Sequence, residues 1–146
     1  MRSDAMVLTE SSDLAALLSS AKTIAVEIAS PKEERTSNRV MRFLIEKGYE
    51  VYPINPGFAG QEIGGRLAYA SLKDVPVPID IVDIFRKSEA VGPIVDQAIE
   101  VGAKSVWMQL GIVNDEAAEK AEKAGLRVVM DRCTAIELNK MNERTA

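Results

Sequence analysis

The stretch that decides the fold is residues 23–54, TIAVEIASPKEERTSNRVMRFLIEKGYEVYPI. Its opening segment, residues 23–29, is short, mostly apolar and bounded by Lys22 and Ser30-Pro31, as a parallel strand covered on both faces should be. A polar loop follows. Ser37 then stands where it can cap a helix carrying Val40, Met41, Phe43, Leu44 and Ile45, and Gly48 stops that helix. Residues 49–54 read as a second strand, ended by Asn55-Pro56-Gly57. Pro53 lacks a ladder donor, so it is expected near the strand's carboxyl end or at an unpaired position.

Outward from this unit the same alternation recurs. Residues 79–85 (IDIVDIF) form a third apolar strand, followed by a helix over 88–101 that closes on Gly102. Residues 104–110 (KSVWMQL) are a fourth strand, 114–124 a helix capped by Asn114 and ended by Gly125, and 126–130 (LRVVM) a fifth strand. A last helical stretch covers 134–142. The segment 55–78, rich in glycine and proline, reads as a long excursion with one short helical turn at residues 71–74. On the amino-terminal side, Ser11-Ser12-Asp13 is a capping cluster before Leu14, Leu17 and Leu18, giving a short helix to about Ser20. Strand, helix, strand at this spacing predicts a single α/β domain over residues 11–138, a Rossmann-like doubly wound parallel sheet of about five strands. Residues 1–10 are expected to be a flexible start, and 139–146 a polar tail that frays.

A chain of 146 residues with 47% hydrophobic and 27% charged content suits one such domain. Folding at this size removes roughly 70% of the extended chain's surface from water, enough for a core without disulfides. The chain contains no histidine, which excludes serine–histidine and cysteine–histidine nucleophiles, a phosphohistidine relay and imidazole-ligated zinc. Its single cysteine, Cys133, cannot form an internal disulfide and fits a reducing cytoplasm. Eighteen basic against twenty-two acidic residues give a net charge of −4, so no global field attracts nucleic acid. No apolar run approaches the ~20 residues that span a bilayer, and a cytoplasmic, soluble protein without nucleic-acid or membrane partners is expected.

In an open parallel sheet, ligands bind beyond the carboxyl ends of the strands, where strand order reverses. The loop after the first strand carries Lys32 and Arg35 and leads to a helix N-terminus near Ser37, with Arg39 and Arg42 extending a positive face. Such a terminus with nearby cations suits an anion, although a capped, solvated turn would read the same way. A nicotinamide dinucleotide is disfavoured: no G-x-G-x-x-G follows the first strand, and the second ends in Asn55 rather than an acid. Arg86 and Lys87 can meet a phosphorylated ribose or a diphosphate. Asp80 and Asp83, without a metal-ligand cluster, read as structural acceptors, and Trp107 as core. Cys133 follows Arg132, which would lower its pKa, but a lone cysteine also reads as a packed small side chain.

Several segments together resemble the small stand-alone CoA-binding domain proteins, relatives of the N-terminal domain of succinyl-CoA synthetase alpha subunits. They are Ser30-Pro31-Lys32 with Arg35 and Ser37, Tyr52-Pro53-Ile54-Asn55-Pro56, Val82-Asp83-Ile84-Phe85-Arg86 with Ser88-Glu89, Gly102-Ala103-Lys104 with Trp107-Met108-Gln109-Leu110-Gly111, and Val129-Met130-Asp131-Arg132-Cys133. The resemblance implies coenzyme A bound across the strand ends. Its diphosphate would lie near the loops after strands one to three, and its thiol arm would run toward the loop after strand four. The residues it implicates are Ser30, Lys32, Arg35, Thr36, Ser37, Asn55, Pro56, Phe85, Arg86, Ser88, Gln109, Gly111, Arg132 and Cys133. Family members usually carry glycine where this chain has Ile28, and a β-branched side chain there must either block a phosphate or be absorbed by a shifted loop. The resemblance implies a coenzyme A or acyl-CoA binder without catalytic machinery. Other readings are a thiol-redox protein with a Cys133 mixed disulfide, an NAD(P)-type regulatory domain, or a domain that Ile28 has turned into a protein interaction partner; a homo-oligomer stays open.

Overall fold

The computed structural model describes residues 7–145, with side-chain surroundings given as far as Met141. Residues 1–6 of the expected flexible start lie outside it. Of the rest of that start, Val7 bridges to Val128, and Leu8 is buried with its N–H donating to the Val128 carbonyl at 2.8 Å.

The chain forms α1 (Ser11–Ser20), β1 (Thr23–Glu27), α2 (Thr36–Glu46), β2 (Glu50–Ile54), a short hairpin of β3 (Glu62–Ile63) and β4 (Arg66–Leu67), β5 (Ile81–Ile84), α3 (Val91–Glu100), β6 (Ser105–Met108), α4 (Asp115–Lys123), β7 (Arg127–Val129) and α5 (Thr134–Thr145). The main sheet has the order β2-β1-β5-β6-β7 and every pairing is parallel. Strand order therefore reverses between β1 and β5, and the crevice of the fold opens above their carboxyl ends. The doubly wound, five-stranded parallel sheet expected from the alternation is the observed one.

Alternation along the strands sorts side chains into two cores. Ile24, Val26, Ile81, Trp107 and Val129 pack with Leu14, Leu18, Met41 and Leu44 under α1, α2 and α5. Ala25, Val82, Ile84, Val106 and Met108 pack with Val95, Ala98 and Ala121 under α3 and α4. Trp107 is fully buried, as expected, and its indole N–H donates to the Arg132 carbonyl at 2.8 Å.

Local differences from the sequence reading have identifiable causes. α1 begins at Ser11 behind Glu10, with no side-chain cap, so the serine cluster lies inside the helix rather than before it. The helix expected from residue 88 starts as a 3₁₀ turn (Ser88–Ala90) before α3 proper. The β3–β4 hairpin was not anticipated, because two-residue strands leave no period to detect. Pro53 sits within β2, an edge strand, where the missing N–H costs least. Gly48, with φ of +99°, ends α2 as its position suggested. Asn114 caps α4 through its side-chain oxygen, which accepts from Ala117 N–H at 2.9 Å. α5 runs through the polar tail as far as Thr145.

Candidate functional site

The loop leaving β1 is folded back on the first turn of α2. The Ser30 N–H donates to Ser37 Oγ at 3.0 Å, the Ser30 carbonyl accepts from Asn38 Nδ2 at 2.8 Å, and Ser30 Oγ accepts from the Lys32 N–H at 3.1 Å. Arg39 and Arg42 brace the loop from the helix side: Arg39 donates to the Glu34 carbonyl, and Arg42 donates to the Glu33 carbonyl at 3.1 Å and to Asn38 Oδ1 at 2.7 Å. Both side chains brace the loop while remaining exposed on α2.

Ser37 is not the cap of α2. The helix begins at Thr36, Arg35 holds the cap position with φ −78° and ψ 146°, and no side chain caps the first turn. Ser37 lies inside that turn, buried, with its hydroxyl taken by Ser30. The positive end of α2 is thus left open to the rim. A cleft of about 430 Å³ faces it, lined by Ile28, Ser30, Glu34, Arg35, Thr36, Ser37 and Phe85. Ile28 forms part of this wall. A second cavity of about 350 Å³ lies between α3 and α4 around Gly92, Asp96, Asn114 and Lys120, outside the switch point.

Next to the cleft-lining Ile28 in the chain, the end of β1 carries a group the sequence reading passed over. Glu27, 3% exposed, closes β1, and its Oε1 lies 3.7 Å from a guanidinium nitrogen of half-exposed Arg86. Burial pushes the Glu27 carboxyl up to about 7, and Arg86 offsets only part of that rise. The signal was present, since Glu27 is the one charged residue in an otherwise apolar strand.

The loops after β2, β6 and β7 are latched to their neighbours. Asn55 Nδ2 donates to the Ala29 carbonyl at 2.9 Å, and Asn55 Oδ1 accepts from Gly57 N–H at 2.9 Å, while Pro56 starts a 3₁₀ turn on the exposed side. Ser88 Oγ accepts from Val113 N–H at 3.0 Å, and the Ser88 carbonyl accepts from Asn114 Nδ2 at 2.8 Å. Gln109 is buried, and its amide donates to Asp83 Oδ1 at 2.6 Å and to Thr134 Oγ1 at 3.2 Å; Thr134 Oγ1 donates to Asp83 Oδ2 at 3.0 Å. Asp83 is fully buried in this triad, and desolvation raises its carboxyl to about 7 although both donors favour the anion. Gly111, with φ of +81°, donates its N–H to Asp131 Oδ1 at 2.7 Å. Asp131 adopts φ of 59°, a left-handed conformation that aspartate tolerates better than most side chains.

Arg132 is half-exposed and donates to the Asp131 carbonyl at 3.0 Å. Cys133 is buried in the core, and desolvation pushes its thiol up. The lowering expected from Arg132 does not occur: burial outweighs the N–H groups of Ala135 and Ile136 that favour the thiolate. Asp80 sits at the opposite, amino-terminal edge of the sheet. Burial would raise its carboxyl, but the N–H groups of Lys22 and Thr23, at 2.7 and 3.1 Å, and the Lys104 ammonium at 3.4 Å hold it below the usual range. Both aspartates are structural acceptors.

Of the fourteen implicated residues, the cleft gathers Ser30, Arg35, Thr36, Ser37 and Phe85. Lys32 is exposed on the same loop and Arg86 stands beside Phe85. Asn55, Ser88, Gln109, Gly111 and Cys133 make internal contacts along the rim. Sequence reading missed Glu27, Asn38, Asp131 and Thr134. No group of three or more cysteine, aspartate and glutamate residues able to hold a metal occurs among the described residues, and no helix of the described residues is long and apolar enough to cross a membrane.

Sheet order and the cleft at its switch point define the class: a Rossmann-like α/β domain with a crevice above β1 and β5. Within that class the chain belongs to the CoA binding domain family, whose model matches residues 22–139. It is similar to the protein YneT of Bacillus subtilis strain 168, with 38% identity over 120 residues covering 82% of this chain and 87% of YneT. It is also similar to the alpha subunit of the ADP-forming acetate–CoA ligase I of Pyrococcus furiosus, with 30% identity over 122 residues. That match takes in 74% of this chain but 26% of the subunit, so the chain spans about a quarter of the ligase subunit's length. Among solved structures, a hypothetical protein from Pyrococcus horikoshii OT3 superposes with a TM-score of 0.88 and 40% identity, covering 97% of this chain and 99% of the other.

Proposed function

We propose that this chain is a cytosolic binding module for coenzyme A or an acyl-CoA, which it holds across the carboxyl rim without bond-making chemistry of its own. One observation carries the reading: the N-terminus of α2 has no side-chain cap and opens on the cleft with Arg35 at its lip. Free amides, a helix dipole and a guanidinium converging on one space favour a phosphate group. Lys32 adds a charge on the same loop, Phe85 offers an aromatic wall to the base, and Arg86 follows Phe85 in the chain. A volume of about 430 Å³ lies within the ~300–1,000 Å³ usual for small-molecule sites and suits the nucleotide end of the coenzyme. The thiol arm would then lie over the loops after β6 and β7, past Gly111 and Arg132. Asn55, Pro56, Ser88 and Gln109 act as supports that fix these loops. Ile28 narrows the wall beside the phosphate position.

Isothermal calorimetry with coenzyme A and with NAD tests the reading. Saturable heat with coenzyme A and none with NAD is expected, and saturable NAD binding without coenzyme A binding rejects it. Cys133 takes a packing role here, so alkylation of its thiol in the native protein should be far slower than after unfolding.

A further inference from the structure

A buried carboxylate one residue before the cleft-lining Ile28 demands an explanation. Glu27 ends β1 at the switch point, and its exposure is 3%. Its neighbours in register, Ile54 on β2 and Ile84 on β5, are apolar and offer it no hydrogen bond from their side chains. Arg86, just past the end of β5, is the charged group that acts on it, across 3.7 Å. This is longer than the ~2.7–2.9 Å of a well-formed charge-assisted hydrogen bond. The loop after β1 brings Lys32, Glu33, Glu34 and Arg35 to the same rim, and the turn after Arg86 brings Lys87 and Glu89. The Arg86 side chain is 38% exposed, and Phe85 beside it lines the cleft.

We propose that Glu27 is a proton-linked gate on Arg86: a diphosphate entering the cleft draws Arg86 away, and the carboxylate left behind in the sheet takes up a proton from solvent. The inference rests on the binding reading above and adds a coupling to it. The alternative, a bare carboxylate buried without its cation, is costly, and protonation removes that cost. Glu27 is already raised to about 7 while Arg86 stands beside it, and removing Arg86 removes a contribution that lowers it. Its affinity for protons therefore rises on binding, which requires that anion affinity fall as pH rises above about 7.

The test is calorimetry with dephospho-coenzyme A, which carries the diphosphate but not the 3′-phosphate whose own titration near pH 6 would confuse the result. Affinity is expected to weaken about tenfold from pH 6 to pH 8. Titration in two buffers of different ionisation enthalpy should show uptake of about half a proton at pH 7. Glu27→Gln should bind with neither the slope nor the uptake. Arg86→Gln, a second variant should the first fail to fold, should bind more weakly and also without slope. A native protein that binds with constant affinity and no proton uptake overturns the gate and leaves the binding reading standing. A slope that persists in Glu27→Gln overturns it as well. Absence of binding of either coenzyme form at any pH defeats the binding reading itself.

Discussion

Glu27 and Asp83 sit on neighbouring strands, β1 and β5, both buried and both raised to about 7 by desolvation, yet they stand in opposite situations. Asp83 pairs in register with Val26, so alternation turns Glu27 to the other face of the sheet. Asp83 is closed in by two neutral donors that also bond to each other, Gln109 just after β6 and Thr134 at the start of α5. Glu27 faces one cation that is half in solvent. The same physical penalty has been met by a permanent network in one place and by an exchangeable partner in the other. A network of that kind locks loops together, whereas a loose ion pair at a cleft leaves a charge that a ligand can claim.

The largest effect should come from breaking the closed side. Asp83→Ala leaves the Gln109 amide and the Thr134 hydroxyl without their buried acceptor and should lower stability to denaturant by about 3 kcal/mol. Asp83→Asn keeps an acceptor for Gln109 and should cost much less. A loss as large from the asparagine variant would show that the charge, not the hydrogen bonds, matters there.

Next in size is the pH dependence of stability. Both carboxyls bind protons more tightly folded than unfolded, so their contribution is fully present below their ordinary values of 3.8 and 4.5 and is lost as pH rises through about 7. Denaturation midpoints should fall from pH 5 to pH 7.5, each group contributing on the order of 2 kcal/mol. Asp83→Asn and Glu27→Gln should each remove their share, and equal slopes in the variants and the native protein would erase the comparison.

A smaller, local effect separates the open side. Arg35→Ala should weaken coenzyme A binding about tenfold, near 1.4 kcal/mol, in calorimetry while leaving the denaturation midpoint within about 0.5 kcal/mol, because the side chain is exposed at the cleft mouth. A matching loss of stability would mean that Arg35 supports the loop instead.

Much of the architecture was legible because periodicity is a local property. Residues 23–29, 79–85, 104–110 and 126–130 each contain an observed strand, and Gly48, Gly102 and Gly125 all take positive φ where helices were expected to stop. The rim loops were legible too, since a parallel sheet places every strand-to-helix loop at one end. What those loops do was not. Asn55, Ser88 and Gln109 read as polar groups available to a ligand, and each is spent on a backbone or side chain 25 or 26 residues away. Ser37 read as a cap because serine before an apolar run usually is one, but Ser30 competes for its hydroxyl.

The residues of this chain determine its class by themselves: apolar period, turn chemistry and the absence of histidine are written locally and need no partner to be read. Tertiary structure alone decides which polar groups remain free for a ligand. That outcome depends on the order β2-β1-β5-β6-β7, which brings Arg86 to Glu27 and Thr134 to Asp83 across 59 and 51 positions of chain. A buried carboxyl's behaviour is set by whatever stands within a few ångströms of it, and only the folded sheet fixes those neighbours.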